Sequence, residues 1–134
     1  MKKTILFFIA SLFGVSAMGQ LVGDGLTPAT AYCGTITNAQ SWTLAYNAGI
    51  IYVGQTGNED LTVTTGGFLT IQAGVTVMFC TTGSDLIITS SGKLTAIGSG
   101  ASNITFTKNL QATWGHIKMN GTGSCQLSYS TIEW

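Results

Sequence analysis

Five acidic side chains are the residues that could hydrolyse a glycosidic bond, because most glycosidases place two carboxylates on either side of that bond. They are spread along the chain at Asp24, Glu59, Asp60, Asp85 and Glu133. Glu59 and Asp60 are adjacent, so on a strand their side chains would point to opposite faces. The other three lie far apart and form no obvious pair. We therefore interpret the acids as turn and surface residues and predict no catalytic residue among them.

The single histidine, His116 in "WGHIKM", could act as a general base. Alternation with Ile117 points its side chain outward, and the sequence shows neither a nucleophile motif nor a carboxylate that would orient the ring. A surface position on a strand is the favoured interpretation. The segment "GSGASN" at 98–103 lacks the lysine and the following helix of a phosphate-binding loop, so it is interpreted as a turn.

Three cysteines, Cys33, Cys80 and Cys125, are separated by 47 and 45 residues. They form no C-x-x-C pair, and the sequence has a single histidine, so we do not predict a zinc site. We interpret Cys80 and Cys125 as small apolar side chains on strands. In an exported chain at most two of the three could pair, and the sequence leaves open whether any two form a disulfide.

Residues 1–19 have the parts of a secretory signal peptide, which predicts a secreted or cell-surface protein of bacterial type. "MKK" is followed by the 12-residue apolar run "TILFFIASLFGV", and the small residues Ala17 and Gly19 precede a cut before Gln20. Twelve residues are too few to span a bilayer, and no later stretch is long enough, so no membrane span is expected.

The chain after the cut, residues 20–134, carries three lysines, five acids and no arginine, a formal charge of −2. It has no basic cluster that would neutralise phosphates, so nucleic acid is not an expected partner.

Short runs of β-favouring residues recur from Ile50 onward, and no window has a helical period. They are "IIYV", "LTVT", "FLTI", "VTVMF", "LIIT", "KLTAI", "NITFT", "HIKM" and "QLSYSTIEW". Apolar and polar residues alternate within most runs, so each strand should have one buried and one exposed face. The inward residues are then Leu69, Ile71, Val75, Val77, Phe79, Leu86, Ile88, Leu94, Ile104, Phe106 and Ile117. Residues 20–49 are interpreted as an irregular entry or cap segment with one strand near Trp42 to Tyr46.

A repeat indicates how these strands connect. "GFLTIQAG" at 67–74 resembles "GKLTAIGS" at 92–99, so that Leu69 and Thr70 recur 25 residues later as Leu94 and Thr95. A period of this length, made of three short strands and three turns, is typical of one coil of a solenoid. Residues 50–134 would form about three coils, with Leu69 and Leu94 in one interior column.

On the segments "LTIQAGVTVMF", "LIITSSGKLTAIGSGASNITFT" and "WGHIKMNGTGSCQLSYSTIEW", the chain resembles secreted parallel β-helix proteins of the broad pectin-lyase-like superfamily. The resemblance covers roughly Leu61 to Trp134 and implies an all-β, right-handed parallel β-helix. Such proteins usually continue for several more coils, so the chain is expected to be an N-terminal portion that is incomplete at its C-terminus.

The superfamily includes polysaccharide lyases and hydrolases as well as adhesins, so the fold does not decide the function. Its lyases hold calcium with clustered acids and commonly use an arginine as base. This chain has no arginine and no D-x-D run, and only Lys93 and Lys118 could replace that base. We therefore expect no catalytic site, no metal and no cofactor.

Three functional hypotheses follow. The first is a structural, adhesive or polysaccharide-binding β-helix, whose aromatic residues Trp42, Trp114, Trp134, Tyr46, Tyr52 and Tyr129 could stack on sugars. The second is the front part of a polysaccharide lyase or glycoside hydrolase with catalytic coils beyond Trp134. The third is an ice-binding solenoid that uses threonine ladders such as Thr62 with Thr64, or Thr105 with Thr107. The expected partners are extracellular polysaccharide or another protein chain at an open C-terminal coil, where Ile132 and Trp134 would be uncovered.

Overall fold

The computed structural model describes residues 20–55, 60–110 and 113–133, which form a stack of short strands. The predicted signal peptide, Glu59 and Trp134 lie outside the described residues. Two 3₁₀ turns, Pro28–Thr30 and Asn47–Gly49, precede the fourth strand. The strands are β1 (Leu21–Val22), β2 (Cys33–Ile36), β3 (Ala39–Trp42), β4 (Ile50–Val53), β5 (Leu61–Val63), β6 (Phe68–Ile71), β7 (Thr76–Phe79), β8 (Leu86–Thr89), β9 (Lys93–Ile97), β10 (Ile104–Lys108), β11 (Ile117–Asn120), β12 (Ser124–Ser128) and β13 (Ser130–Ile132).

The strands form three parallel sheets, and the chain visits the sheets in a fixed order. The first wall contains β2, β5, β8 and β11, with β1 added antiparallel to β2. The second wall contains β3, β6, β9 and β12, and the third contains β4, β7, β10 and β13. Passing from wall to wall, the chain completes about three turns of a β-solenoid between β2 and the last coil. The four stacked coils are β2–β4, β5–β7, β8–β10 and β11–β13. The prediction of an all-β fold built as a parallel β-helix is confirmed.

The 25-residue repeat corresponds to one turn of this solenoid. Leu69 on β6 pairs in register with Leu94 on β9, and Thr70 pairs with Thr95. The predicted interior column of Leu69 and Leu94 is therefore confirmed, and it continues to Cys125 on β12. Because neighbouring strands are only about 4.8 Å apart, each apolar side chain packs directly on its counterpart in the next coil.

The core lies inside the three walls and consists of the apolar side chains that alternate with outward polar side chains along each strand. Ten of the eleven residues predicted to point inward are buried, and Ile117 is half-buried against the core. Ile117 belongs to the last coil, which is covered on one side only. The alternating pattern predicts the inward face correctly because each strand of the walls keeps its pleat.

The solenoid begins earlier than the sequence pattern indicates. Strands β2 and β3 lie inside the expected entry segment, yet they pair in parallel with β5 and β6 and form the first coil. The strand expected near Trp42 to Tyr46 lies at Ala39–Trp42. The runs "CGTI" and "AQSW" have few apolar residues, so their strand character depends on pairing with the second coil. Residues 20–32 cover this coil, and Tyr32 stacks on Trp42 with ring centroids 5.6 Å apart.

Candidate functional site

Four ionisable residues meet where the chain enters the first wall, and we name them the charged corner. Asp60, Asp85 and His116 each precede a strand of this wall, and the register of Leu61, Leu86 and Ile117 stacks them one coil apart. Lys118 follows two residues after His116 and therefore lies on the same face. The two aspartates are 25 residues apart in sequence, which is the length of the repeat.

Asp85 is the buried centre of the charged corner. Its carboxylate accepts the backbone N–H of His116 at 2.7 Å and a hydrogen bond from the Lys118 ammonium. His116 Nδ1 lies 3.4 Å from Asp85 Oδ1. The backbone N–H of Asp85 in turn donates to Oδ1 of Asp60 at 3.0 Å. The corner thus joins three successive coils through side chains and backbone.

The electrostatics of the corner favour an ionised Asp85. Burial alone would raise the pKa of Asp85, but the hydrogen bonds from Lys118 and His116 and the positive charge of Lys118 outweigh it. The net result is a pKa below the ordinary value. At neutral pH Asp85 and Lys118 therefore form an ion pair at the edge of the core.

Two expectations about this region need correction. Asp85 was expected to be a turn or surface residue, but it is buried. His116 was expected to lack a carboxylate that orients it, yet Asp85 lies beside its ring. The outward orientation of His116 itself is confirmed. The sequence signal that could have found the cluster is the 25-residue spacing of the two aspartates, because residues one period apart stack in a solenoid.

The arrangement of the charged corner is suited to holding neighbouring coils together. Both oxygens of Asp85 are engaged, so this carboxylate is poorly placed to accept a proton from a substrate. The neighbouring Ser84 hydroxyl is buried and donates to the carbonyl of Thr81 at 2.9 Å. A Cβ at Gly115 would lie 2.1 Å from Asp85 Oδ1, so only glycine lets the last coil approach this carboxylate. The described residues include no group of three or more His, Cys, Asp or Glu side chains that could hold a metal ion.

The large aromatic side chains are mostly structural. Trp114 is buried, stacks on Phe79 with centroids 4.3 Å apart and donates from Nε1 to the carbonyl of Glu133 at 2.7 Å. Trp42 is buried as well, and Tyr46 packs partly against the core. Among the six predicted sugar-stacking residues, Tyr129 is the one exposed within the described part of the chain. The sequence interpretation missed Phe68, which is 44% exposed on β6.

The cysteines occupy apolar surroundings. Cys125 lies on β12 against the core, as expected for a small apolar side chain on a strand. Cys80 follows the end of β7, and burial raises the pKa of its thiol to about 11. Both of these thiols are free. Cys33 is buried on β2. None of the three environments resembles the electropositive site of a reactive thiolate.

A groove on the outside of the second wall is the second candidate, and we name it the second-wall groove. Across the wall, a file of polar side chains runs in register from Ser41 through Thr70 and Thr95 to Gln126, all exposed except the half-buried Thr95. In the neighbouring file, the Lys93 ammonium lies 5.2 Å from the centroid of the Phe68 ring. The groove is lined by Ser41, Trp42, Thr43, Thr70, Ile71, Gln72, Ala73, Thr95 and Ile97.

The predicted threonine ladders form incomplete arrays. On the first wall, Thr62 is in register with Thr35 but is followed by Ile87 and Lys118. On the third wall, Thr76, Thr105 and Thr131 make one continuous file. Thr107, in the next file, is in register with Met78 instead of another threonine. Neither wall therefore presents two complete files of threonine.

Comparison with known proteins adds no further assignment. No protein-family model, curated protein or solved structure matches the chain. No helix in the described ranges is long and apolar enough to cross a membrane.

Proposed function

We propose that the protein is an extracellular β-helix scaffold that binds polysaccharide along the second-wall groove. The observation that carries this proposal is the in-register file of Ser41, Thr70, Thr95 and Gln126 beside the exposed Phe68 ring. The signal-peptide pattern of residues 1–19 supports export to the cell surface or beyond.

The chemistry of the groove suits an extended sugar chain. Hydroxyl and amide groups repeat every 4.8 Å or so across the wall, because that is the strand spacing. They both donate and accept hydrogen bonds, as sugar hydroxyls require. Phe68 does not line the groove, but it lies on the same wall in the file next to Thr70 and offers an apolar ring on which the C–H face of a sugar can pack. Lys93 next to that ring adds one positive charge, which favours a polymer that contains carboxylates.

A non-enzymatic role within the broad pectin-lyase-like superfamily fits these features best. The β-solenoid and the order of the sequence motifs support this membership. The charged corner supports the absence of catalysis in these coils, because Asp85 is held in an ion pair with Lys118.

The enzyme hypothesis is the second candidate, and one observation favours it. Asp60 is exposed and its carboxylate accepts the backbone N–H of Asp85 at 3.0 Å, so two acidic residues of successive coils lie at one corner. Under this hypothesis the described coils position the substrate and the reacting groups lie beyond Trp134. The ice-binding hypothesis is weaker, because Ile87 and Lys118 interrupt the threonine file of the first wall.

Affinity electrophoresis of residues 20–134 in gels that contain pectate, xylan or a soluble glucan tests the proposal. We expect retardation in at least one gel, reduced about tenfold or more in affinity by Phe68→Ala or Thr95→Arg. Thr107→Arg, on the third wall, is the matched control and should leave binding unchanged. Equal retardation of the Thr95→Arg and Thr107→Arg variants would exclude the groove as the binding site.

A further inference from the structure

One side of the second-wall groove, next to the third wall, differs in chemistry from its middle. The middle is the polar file of Ser41, Thr70 and Thr95, whose hydroxyl groups both donate and accept hydrogen bonds. Directly after β6 and at the end of β9, the groove is lined instead by Gln72 and Ile97. Both side chains are exposed. We name these two residues the amide edge, because an amide group lies there beside a branched apolar side chain.

The two residues of the amide edge are neighbours in adjacent coils. Ile71 pairs in register with Ala96, and Gln72 and Ile97 each follow by one residue. Strands of adjacent coils lie about 4.8 Å apart, so one small group of a ligand can contact both side chains. Ala73 also lines the groove at this position and adds a small apolar residue.

The orientation of the Gln72 amide is fixed by the first coil. The backbone N–H of Leu44 donates to Gln72 Oε1 at 3.0 Å. An N–H group needs an oxygen as its acceptor here, so Nε2 occupies the other position of the amide. Among the described residues, none accepts a hydrogen bond from Gln72 Nε2. Gln72 therefore offers N–H donors to the groove, while its oxygen is engaged by the backbone.

Leu44, which fixes this amide, is itself held against the stack. A Cβ on Gly49 would lie 2.8 Å from Leu44 Cδ2, and a Cβ on Gly74 would lie 3.2 Å from the same atom. The Leu44 side chain thus packs directly on two glycines of successive coils. Because its anchor is held in this way, Gln72 loses little conformational freedom when a ligand binds.

We propose that the amide edge binds an acetyl group, so that the polysaccharide ligand is an acetylated glycan. The carbonyl oxygen of the acetyl group accepts a hydrogen bond from Gln72 Nε2, and the methyl group packs on Ile97. The inference rests on the proposed binding of polysaccharide in the second-wall groove and adds the chemical class of the sugar. Lys93 lies at the opposite end of β9, so a carboxylate there and an acetyl group at the amide edge are compatible.

Other common substituents of sugars fit the amide edge less well. A hydroxyl group needs an acceptor for its own proton, and neither Gln72 Nε2 nor the Ile97 side chain supplies one. A carboxylate accepts hydrogen bonds but brings a charge against Ile97, and removing that charge from water is costly. An acetyl group combines a neutral acceptor with a methyl group, so it uses both residues of the edge.

Two matched pairs of ligands test this inference on residues 20–134. Cellohexaose and chitohexaose share one backbone and differ by the acetamido groups, and calorimetric titration compares their affinities. Acetylated xylan and the same xylan after mild alkali differ by ester-linked acetyl groups, and affinity electrophoresis compares them. We expect the acetylated member of at least one pair to bind about tenfold more tightly, as one hydrogen bond and one buried methyl group supply. The first pair reports N-acetyl groups and the second reports O-acetyl groups.

Variants of the amide edge separate the hydrogen bond from the packing. Gln72→Glu keeps an oxygen for the Leu44 N–H but has no N–H donor, so it should reduce the preference for the acetylated ligand about tenfold. Ile97→Ala should reduce that preference about threefold, because it removes the apolar contact of the methyl group. Thr107→Glu, on the third wall, is the control for the added charge and should leave the preference unchanged. Urea midpoints establish that each variant is folded.

The outcomes distinguish this inference from the proposed function. Equal affinity for both members of each pair would overturn the acetyl group and leave polysaccharide binding in place. Retardation by pectate without binding of any of the four ligands would do the same. If no ligand and no gel bound the protein, both proposals would be wrong. An acetyl preference that Gln72→Glu and Thr107→Glu reduced equally would show that the acetyl group binds elsewhere.

Discussion

The two ends of the solenoid are built from the same walls but differ in how they are covered. At the first coil, residues 20–32 add a strand to β2, hydrogen-bond to β4 and stack Tyr32 on Trp42. At the last coil, the inward side chains of β11, β12 and β13 stay partly exposed. An inward position in a solenoid is therefore buried only when another layer of chain lies above it.

This difference predicts an uneven distribution of stability. The second and third coils have neighbours on both sides and contain the largest fully buried side chains, such as Phe79 and Phe106. The last coil is held by pairing on one side and by the charged corner. It should open in sub-global fluctuations before the central coils do.

The largest effect is expected from a charge placed in the central core. Phe106→Asp should lower the free energy of unfolding by about 4 kcal/mol or more, because it removes a buried ring and buries a carboxylate. Ile132→Asp, in the same column one coil later, should cost only about 1 kcal/mol. Thr105→Asp, on the outer face, should change stability by about half a kcal/mol in either direction. Urea denaturation of the three variants, at concentrations where the protein is monomeric, measures this. Similar midpoints for Phe106→Asp and Thr105→Asp would show that the assignment of inward and outward residues on β10 is wrong.

A smaller effect is expected from the charged corner, and it depends on pH. The folded-state pKa of Asp85 is below its ordinary value, so its ionised form stabilises the fold above the unfolded-state pKa. That contribution should disappear as the pH falls from about 4 toward the folded-state pKa. Asp85→Asn should cost about 1 to 2 kcal/mol at pH 7 and much less at low pH.

Urea midpoints measured between pH 2.5 and 7 test the role of Asp85. Asp60→Asn serves as the control, because an amide oxygen can still accept the backbone N–H of Asp85. If Asp85→Asn lost equal stability at both extremes of pH, the ion pair with Lys118 would not be the source of the stabilisation.

The smallest effect concerns thiol reactivity at the two ends. Burial raises the pKa of both Cys33 and Cys125, so both should react slowly with iodoacetamide at pH 8. Cys125 is half-buried on the last coil, whereas Cys33 is fully buried on β2 where β1 pairs with it, so Cys125 should be alkylated several times faster. Peptide mass spectrometry after timed labelling gives the two rates. Faster labelling of Cys33 would indicate that the covered end opens first.

The sequence predicts the central coils better than the ends. Equivalent residues Gly34, Leu61, Leu86 and Ile117 follow one another at 27, 25 and 31 residues. Because the spacing changes from coil to coil, the sequence repeat is visible only between the second and third coils, where Leu69 and Leu94 are equivalent residues. The final run "QLSYSTIEW" was interpreted as one strand, but Tyr129 adopts a left-handed backbone with φ of 46° and divides it into β12 and β13. A non-glycine residue in this conformation is rare, and no local pattern indicates it.

The candidate sites show the same limit. The polar file of the second wall could be anticipated in part, since Thr70 and Thr95 belong to the repeat. Ser41 and Gln126 could not, because their coils do not follow the 25-residue period. The charged corner depends on contacts of Asp85 with residues 31 and 33 positions later. These contacts form because coils of different lengths stack in register, and no local sequence pattern indicates that stacking.

The corners of the solenoid differ in the number of residues that connect one wall to the next. This difference has a consequence for how the protein could diversify. Between the second and third walls the connection varies from one residue to seven, whereas between the first and second walls it has two to four. A Cβ on Gly92 at the latter corner would lie 2.2 Å from the carbonyl oxygen of Val63, and one on Gly98 at the former would lie 2.4 Å from that of Tyr129, so the two corners differ in the range of connection lengths and not in how tightly their glycines pack. New sequence can therefore be inserted at the former corner without disturbing the register of any wall. That corner borders the groove at Thr43 and Gln72, so variation in loop length there would change what the groove recognises while the stack beneath it stays constant.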